Sequence, residues 1–195
     1  FVSMPREGHE VGEWLSAEGI TVVALKYRLP NGHREVPLED AEAALRYIRD
    51  HAAEYGVDPS RVGVMGFSAG GHLAASAATM LPEEVRPAFA VLVYPVITAE
   101  PGKCHKGSFD NLLGTDRTAG DEAQWSLQNR VTASTPVSYT HLRAHETPEQ
   151  RLALTSSGRN EAGAEIGSPP PLFYGRNSGQ PPAPTAGSGR RLRVQ

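Results

Sequence analysis

Two rhythms of apolar residues run through the first two thirds of the chain. Over residues 10–17, Val11, Trp14 and Leu15 share one face at helical spacing, and Gly19 marks the stop. Residues 20–25, Ile-Thr-Val-Val-Ala-Leu, form a β-branched run that predicts a buried parallel strand. A polar loop with Pro30-Asn31-Gly32 as its turn follows. Residues 39–55 carry the clearest helical pattern, with Ala41, Ala44, Leu45, Ile48 and Ala52 on one face and Gly56 at the end. Asp58-Pro59 turns the chain into a short strand over 61–66. A helix is predicted from 68 to about 80, then a buried strand over 88–97. Beyond it, 107–114 and 121–130 read as two short helices, either a cap over the strand ends or a simple surface connection. Strands alternating with helices make an α/β fold built on a mostly parallel sheet with helices on both faces.

The junction between the 61–66 strand and the next helix reads Gly66-Phe67-Ser68-Ala69-Gly70-Gly71. A serine at a sharp strand-to-helix turn between small residues has the form of a nucleophile elbow. Its hydroxyl stands at the carboxyl end of a strand, where open α/β sheets bind ligands. It also stands at the positive end of a helix, near the backbone N–H of Ala69, one donor of an oxyanion hole. The bland alternative is a glycine-rich turn of any doubly wound sheet; the flanking strand and helix favour Ser68 as a nucleophile.

Composition sets bounds. The 195 residues suffice for one domain with a sizeable core, and the net charge of −3 gives no argument for a nucleic-acid partner. Cys104 is the one cysteine, so no internal disulfide forms. No apolar run reaches membrane-spanning length. The chain begins at Phe1, so it carries no information on a leader and leaves the compartment, cytoplasmic or secreted, open. Charge divides the chain unevenly. Residues 1–136 hold every Lys and every Asp and carry a net −6; residues 137–195 carry +3 from seven Arg against four Glu. The second stretch is rich in Pro, Gly and Ser, as in residues 168–171 and 180–184, and is expected to be a disordered tail.

These residues resemble the alpha/beta-hydrolase fold, in particular bacterial esterases of the acetyl-xylan-esterase and feruloyl-esterase-like group. The matching stretches are residues 7–15, 25–30, 40–49, 94–97 and 129–132, with 58–74 the strongest. The resemblance implies a partial alpha/beta-hydrolase domain over 1–136, incomplete at both ends. It implies attack by Ser68 on a short carboxylic ester, acetyl on carbohydrate first and feruloyl next, through an acyl-enzyme with its oxyanion held partly by Ala69 N–H. No cofactor or metal is implied, and the partner is a small-molecule or carbohydrate ester. A prolyl-oligopeptidase-type peptidase shares the elbow and is the alternative enzyme. A catalytically inactive fragment and a non-catalytic binding module are the other readings.

Two departures matter. The family's glycine-rich oxyanion loop would precede Phe1 and is absent. Its acid should end a strand beginning near Thr135-Pro136, with the histidine tens of residues later. Residues 137–147, Val-Ser-Tyr-Thr-His-Leu-Arg-Ala-His-Glu-Thr, instead resemble the translation of a transposon-end adapter used in DNA library preparation. On that reading 137–195 is non-native.

Asp110, Asp116, Asp121, His141 and His145 supply the order Ser, Asp, His on paper. Neither histidine follows a strand pattern, so neither is expected as the base. Their i, i+4 spacing invites zinc, but no third ligand is evident. His72 on the helix after the elbow is expected to be packed or capping. His9, His33, His51 and His105 carry no partner signal. Asp40 is expected to open a helix in a capping or dipole role.

Overall fold

The computed structural model describes residues 4–141; the expected disorder of residues 142–195 and the position of His145 lie outside the described residues. A π-helical turn, Met4–Glu10, leads into α1 (Val11–Ala17), which stops at Gly19 with φ +80°. Then come α2 (Val36–Asp50), α3 (Ala52–Tyr55), β1 (Val64–Phe67), α4 (Ser68–Met80), β2 (Phe89–Val93), α5 (Lys106–Leu113), α6 (Ala119–Trp125) and β3 (Val137–His141). The three strands form one parallel sheet in the order β1-β2-β3. Phe67 is in register with Val93, and Val93 with His141, so three strand ends stand level.

α4 connects β1 to β2 and packs on the face that carries Val64, Ala90 and Leu92. Its inner positions are small: Ala74, Ala75 and Ala78 meet Ala90, Leu92, Ile97 and Leu127. Small side chains bring the helix axis close to the sheet, and each buried Leu or Ile here contributes roughly 1.5–3 kcal/mol. α2 flanks α4, with Leu45 against Ala77, Leu81 and Val85. A third cluster, Ala99, Phe109, Leu113 and Trp125, joins α5 and α6. On the other face of the sheet Met65, Phe89 and Tyr139 are exposed.

Several expectations change. The 20–25 run forms no strand. Ile20 is 52% exposed and Val23 41%, and no neighbouring strand among the described residues takes its ladder. β-Branched composition favours an extended, half-buried surface, but a strand needs a partner to pair with. The 39–55 helix starts earlier, at Val36, and breaks at His51 into α2 and α3 before the left-handed Gly56. The strand predicted over 88–97 ends at Val93, because Tyr94 turns with φ +37°. Finally, residues 137–141, expected in the tail, are a strand. Val137–His141 pairs along β2 as β3. A strand edge offers unpaired N–H and C=O groups to any extended segment rich in Val, Tyr and Thr, whatever its side chains do. The side chains gain little: Val137 is 83% exposed and Tyr139 64%.

Polar anchors set the elements in place. Asp40 does not open its helix; it is the fifth residue of α2 and binds Arg28. Its carboxylate accepts from Arg28 N–H at 2.7 Å, from Nε at 2.9 Å and from Nη2 at 2.6 Å. These hydrogen bonds hold its carboxyl below the usual carboxylate range. Arg49, near the end of α2, donates to the carbonyls of Val85 at 2.7 Å and Arg86 at 2.5 Å, and at longer range to Pro59. It ties α2 to the connection between α4 and β2. Replacing it with Met keeps the stem but strands those carbonyls. Arg49→Met is expected to cost about 1–3 kcal/mol in urea unfolding, against less than about 0.5 kcal/mol for Arg46→Met on the exposed face.

His72 is buried within α4, edge-on to Phe109 and stacked on Trp125 at centroid distances of 5.6 and 6.2 Å. Nε2 lies 3.0 Å from the Trp125 carbonyl oxygen, so that nitrogen carries the proton and donates. Burial pushes its pKa down to about 4, although the Trp125 carbonyl favours the charged form. The folded protein therefore keeps His72 neutral while the unfolded chain protonates near pH 6.5. Stability is full above that pH, falls as pH drops from about 6.5 to about 4, and levels below. The loss attributable to this one group is on the order of 3 kcal/mol. His72→Gln should flatten that part of a pH series of urea midpoints.

Candidate active site

The elbow is built from β1, α4 and the segment after β2. Ser68 follows β1 directly and adopts φ +50°, a left-handed conformation rare for a non-glycine residue. Close approach holds it there. A Cβ on Gly66 would sit 2.1 Å from the Gly70 carbonyl oxygen, and one on Gly71 would sit 2.8 Å from Pro95 Cβ. Val96 N–H donates to the Ser68 carbonyl at 3.1 Å, tying the segment after β2 to the elbow. Gly70 is different: a Cβ there meets only the Tyr27 hydroxyl, at 3.9 Å. Two glycines of the motif thus answer to packing, and the third leaves open space over the turn.

Ser68 is half-buried and Ala69 exposed. Ala69 N–H lies in the first turn of α4, where backbone donors have no intrahelical acceptor. Ser68 Oγ has no hydrogen-bond partner among the described residues. A nucleophile needs a base within about 2.6–3.2 Å. None of the described histidines supplies it in this arrangement. His72 is turned into the core. His141 ends β3 level with Val93, and its carbonyl accepts from Tyr94 N–H at 2.6 Å, but its ring has no bond to Ser68. His51 and His105 bind the Tyr47 carbonyl and Ser108 Oγ. His9 is exposed.

The acids are committed elsewhere. Asp110 pairs with Lys106 at 2.6 Å and Arg117 at 2.5 Å. Asp121 closes a capping box with Thr118 at the start of α6 and pairs with Arg34. Both carboxyls are held below their ordinary range, Asp110 mainly by Lys106 and Asp121 mainly by the Thr118 N–H. Asp116 lies against Gly114. β3 occupies the place expected for the acid strand and carries no carboxylate.

The sequence reading missed three groups beside the elbow. Tyr94 follows β2 as Ser68 follows β1, and its hydroxyl donates to Glu7 at 3.3 Å. Burial, with the charge of Glu7 behind it, raises the Tyr27 phenol above its ordinary pKa. Tyr94 sat in a predicted strand and Glu7 ahead of a predicted helix, so only tertiary contact reveals them. Among the described residues no helix is long and apolar enough to cross a membrane.

Comparison with known proteins agrees with this geometry. An acetylxylan esterase of Xylanibacter ruminicola is 40% identical over 161 residues, covering 82% of this chain and 31% of that protein. The chain thus spans about a third of that relative. The crystal structure of an acetyl ester-xyloside bifunctional hydrolase from Caldicellulosiruptor lactoaceticus superposes with a TM-score of 0.71 at 32% identity, covering 78% of this chain and 61% of that one. A carboxylesterase of Lactobacillus plantarum gives a TM-score of 0.63 at 26% identity over 78% of this chain and 60% of its own. Residues 9–147 match the alpha/beta hydrolase fold family. With its parallel sheet, its serine at the strained turn and that match over most of its length, the chain belongs to the alpha/beta hydrolase fold family.

Proposed function

We propose that this chain carries the nucleophile half of a serine ester hydrolase acting on short-chain carboxylic esters, acetyl esters of carbohydrate first. The observation that carries the reading is Ser68 at φ +50° between β1 and α4. In this reading Ser68 Oγ attacks the ester carbonyl while a histidine base takes its proton. The tetrahedral oxyanion is held in part by Ala69 N–H, and collapse expels the alcohol. Water then releases the acid from the acyl-enzyme. Acetyl groups on xylan are the substrate class suggested by the name of the Xylanibacter ruminicola relative. The peptidase alternative draws no support from the esterases described above.

Among the described residues no histidine is bonded to Ser68 Oγ and β3 carries no acid; this supports the part of the proposal in which the 195-residue chain by itself is an inactive half. The non-native origin of residues 137–195 belongs to it too. Its support is a third strand with mostly exposed side chains and no acid.

The test restores the missing parts. Residues 1–136 are placed in the frame of the Xylanibacter ruminicola relative, which supplies the flanks on both sides. This chimera is expected to hydrolyse p-nitrophenyl acetate, and Ser68→Ala to lower kcat by at least about 10³-fold. The 195-residue chain alone is expected to show no turnover above its own Ser68→Ala control. A folded chimera whose turnover ignores Ser68→Ala would sink the reading.

A further inference from the structure

Glu7, Tyr27 and Tyr94 gather beside the elbow, and Tyr94 donates to Glu7. Ser68 and Tyr94 each follow a strand whose last residues, Phe67 and Val93, are in register. Neighbouring strands lie about 4.7–4.9 Å apart, so the two residues stand side by side on the carboxyl edge of the sheet. The Tyr94 ring turns against Phe67 at a centroid distance of 5.9 Å, and its hydroxyl reaches Glu7 Oε1 at 3.3 Å. From the other side Tyr27 places its hydroxyl over Gly70, two residues past the nucleophile. Glu7 lies near enough to Tyr27 for its charge to act on the phenol. Glu7 therefore bonds Tyr94 and lies near Tyr27.

The bonding is incomplete. Glu7 Oε2 and the Tyr27 hydroxyl have no hydrogen-bond partner among the described residues, and both residues are half-buried. A half-buried carboxylate with an open oxygen accepts from a ligand donor, and a half-buried phenol can donate to a ligand oxygen. The cluster is also held firmly. Asp40 grips both the backbone N–H and the guanidinium of Arg28, the residue next to Tyr27. Tyr27 is thus fixed from its neighbour, and Tyr94 from its turn.

We infer that Glu7 and Tyr27, with Tyr94 behind them, form the subsite that takes the alcohol side of the substrate, and that it reads hydroxyl groups of a sugar ring. The chemistry fits a polyol. The carboxylate accepts two adjacent hydroxyls, the Tyr27 phenol donates to a third oxygen, and the aromatic walls take the apolar face of the ring. An aliphatic alcohol would leave Glu7 and Tyr27 unpaired against it, so the site selects against such esters. The inference rests on the ester hydrolase reading for its meaning, but its test needs no turnover.

The 195-residue chain is titrated with β-1,4-xylobiose and followed by saturation-transfer NMR, with far-UV circular dichroism as the control for folding. Saturable binding is expected. Glu7→Gln and Tyr27→Phe are each expected to weaken it about tenfold, as loss of one charge-assisted or buried hydrogen bond does. Glu54→Gln, on exposed surface, should leave it unchanged. Absence of saturable binding by the folded chain overturns the subsite, and so does binding that both variants leave intact. The two readings fail separately. Binding that depends on Glu7 in a chain whose chimera ignores Ser68→Ala would leave a sugar site without the hydrolase. A Ser68-dependent chimera with no xylobiose binding at Glu7 would leave the hydrolase without this site.

Discussion

The left-handed backbone at Ser68 costs on the order of 1–2 kcal/mol, and the structure around it exists to hold that conformation. Its support is spread over four places in the chain. Gly66 lets β1 run against the first turn of α4. Gly71 lets Pro95 press on the same turn. Val96 N–H fixes the Ser68 carbonyl. The alanines of α4 then set the helix low on Ala90 and Leu92, so the turn cannot relax by lifting away. Strain of this kind persists only where its surroundings over-determine it. Here the surroundings are two strand ends and one helix, all described.

The neighbouring left-handed residue Tyr94 belongs to the same geometry. It ends β2 one step after Val93, where β1 ends at Phe67, and turns the chain so that Pro95 and Val96 reach the elbow. A tyrosine in a conformation that favours glycine suggests that the ring has work at that point. The contact with Phe67 and the bond to Glu7 are what it does.

Much of this was legible in the residues. The α4 span of 68–80 matched the reading from sequence, because its start is fixed by the motif and its face by alanine spacing. His72 was expected to be packed, and it is, since four residues past the elbow a helical side chain turns away from the hydroxyl. The failures share a cause. The 20–25 run has the composition of a strand but lacks a pairing neighbour, which no local pattern reveals. β3 has its neighbour and so becomes a strand despite an exposed, poorly patterned set of side chains. Asp40 looked like a helix opener, because the reading knew its helix but not that Arg28, twelve residues earlier, would fold back onto it. Glu7 and Tyr27 went unseen because no spacing links them; the fold alone brings Tyr27 to Gly70 and Glu7 to Tyr94.

The small side chains along α4 carry one more implication, for how such a protein could be redesigned. A helix packed through Ala74, Ala75, Ala77 and Ala78 has no room for larger residues beneath it, and overpacking a site of this kind typically costs 1–3 kcal/mol. Ser76, also buried, returns its hydroxyl to the His72 carbonyl and offers no space either. New specificity therefore has little purchase on the helix that presents the serine. It must enter through the segments that cross above the strand ends, which can change length and composition without moving the nucleophile. The helix is the fixed part of the scaffold, and the connections over it are where variation can accumulate.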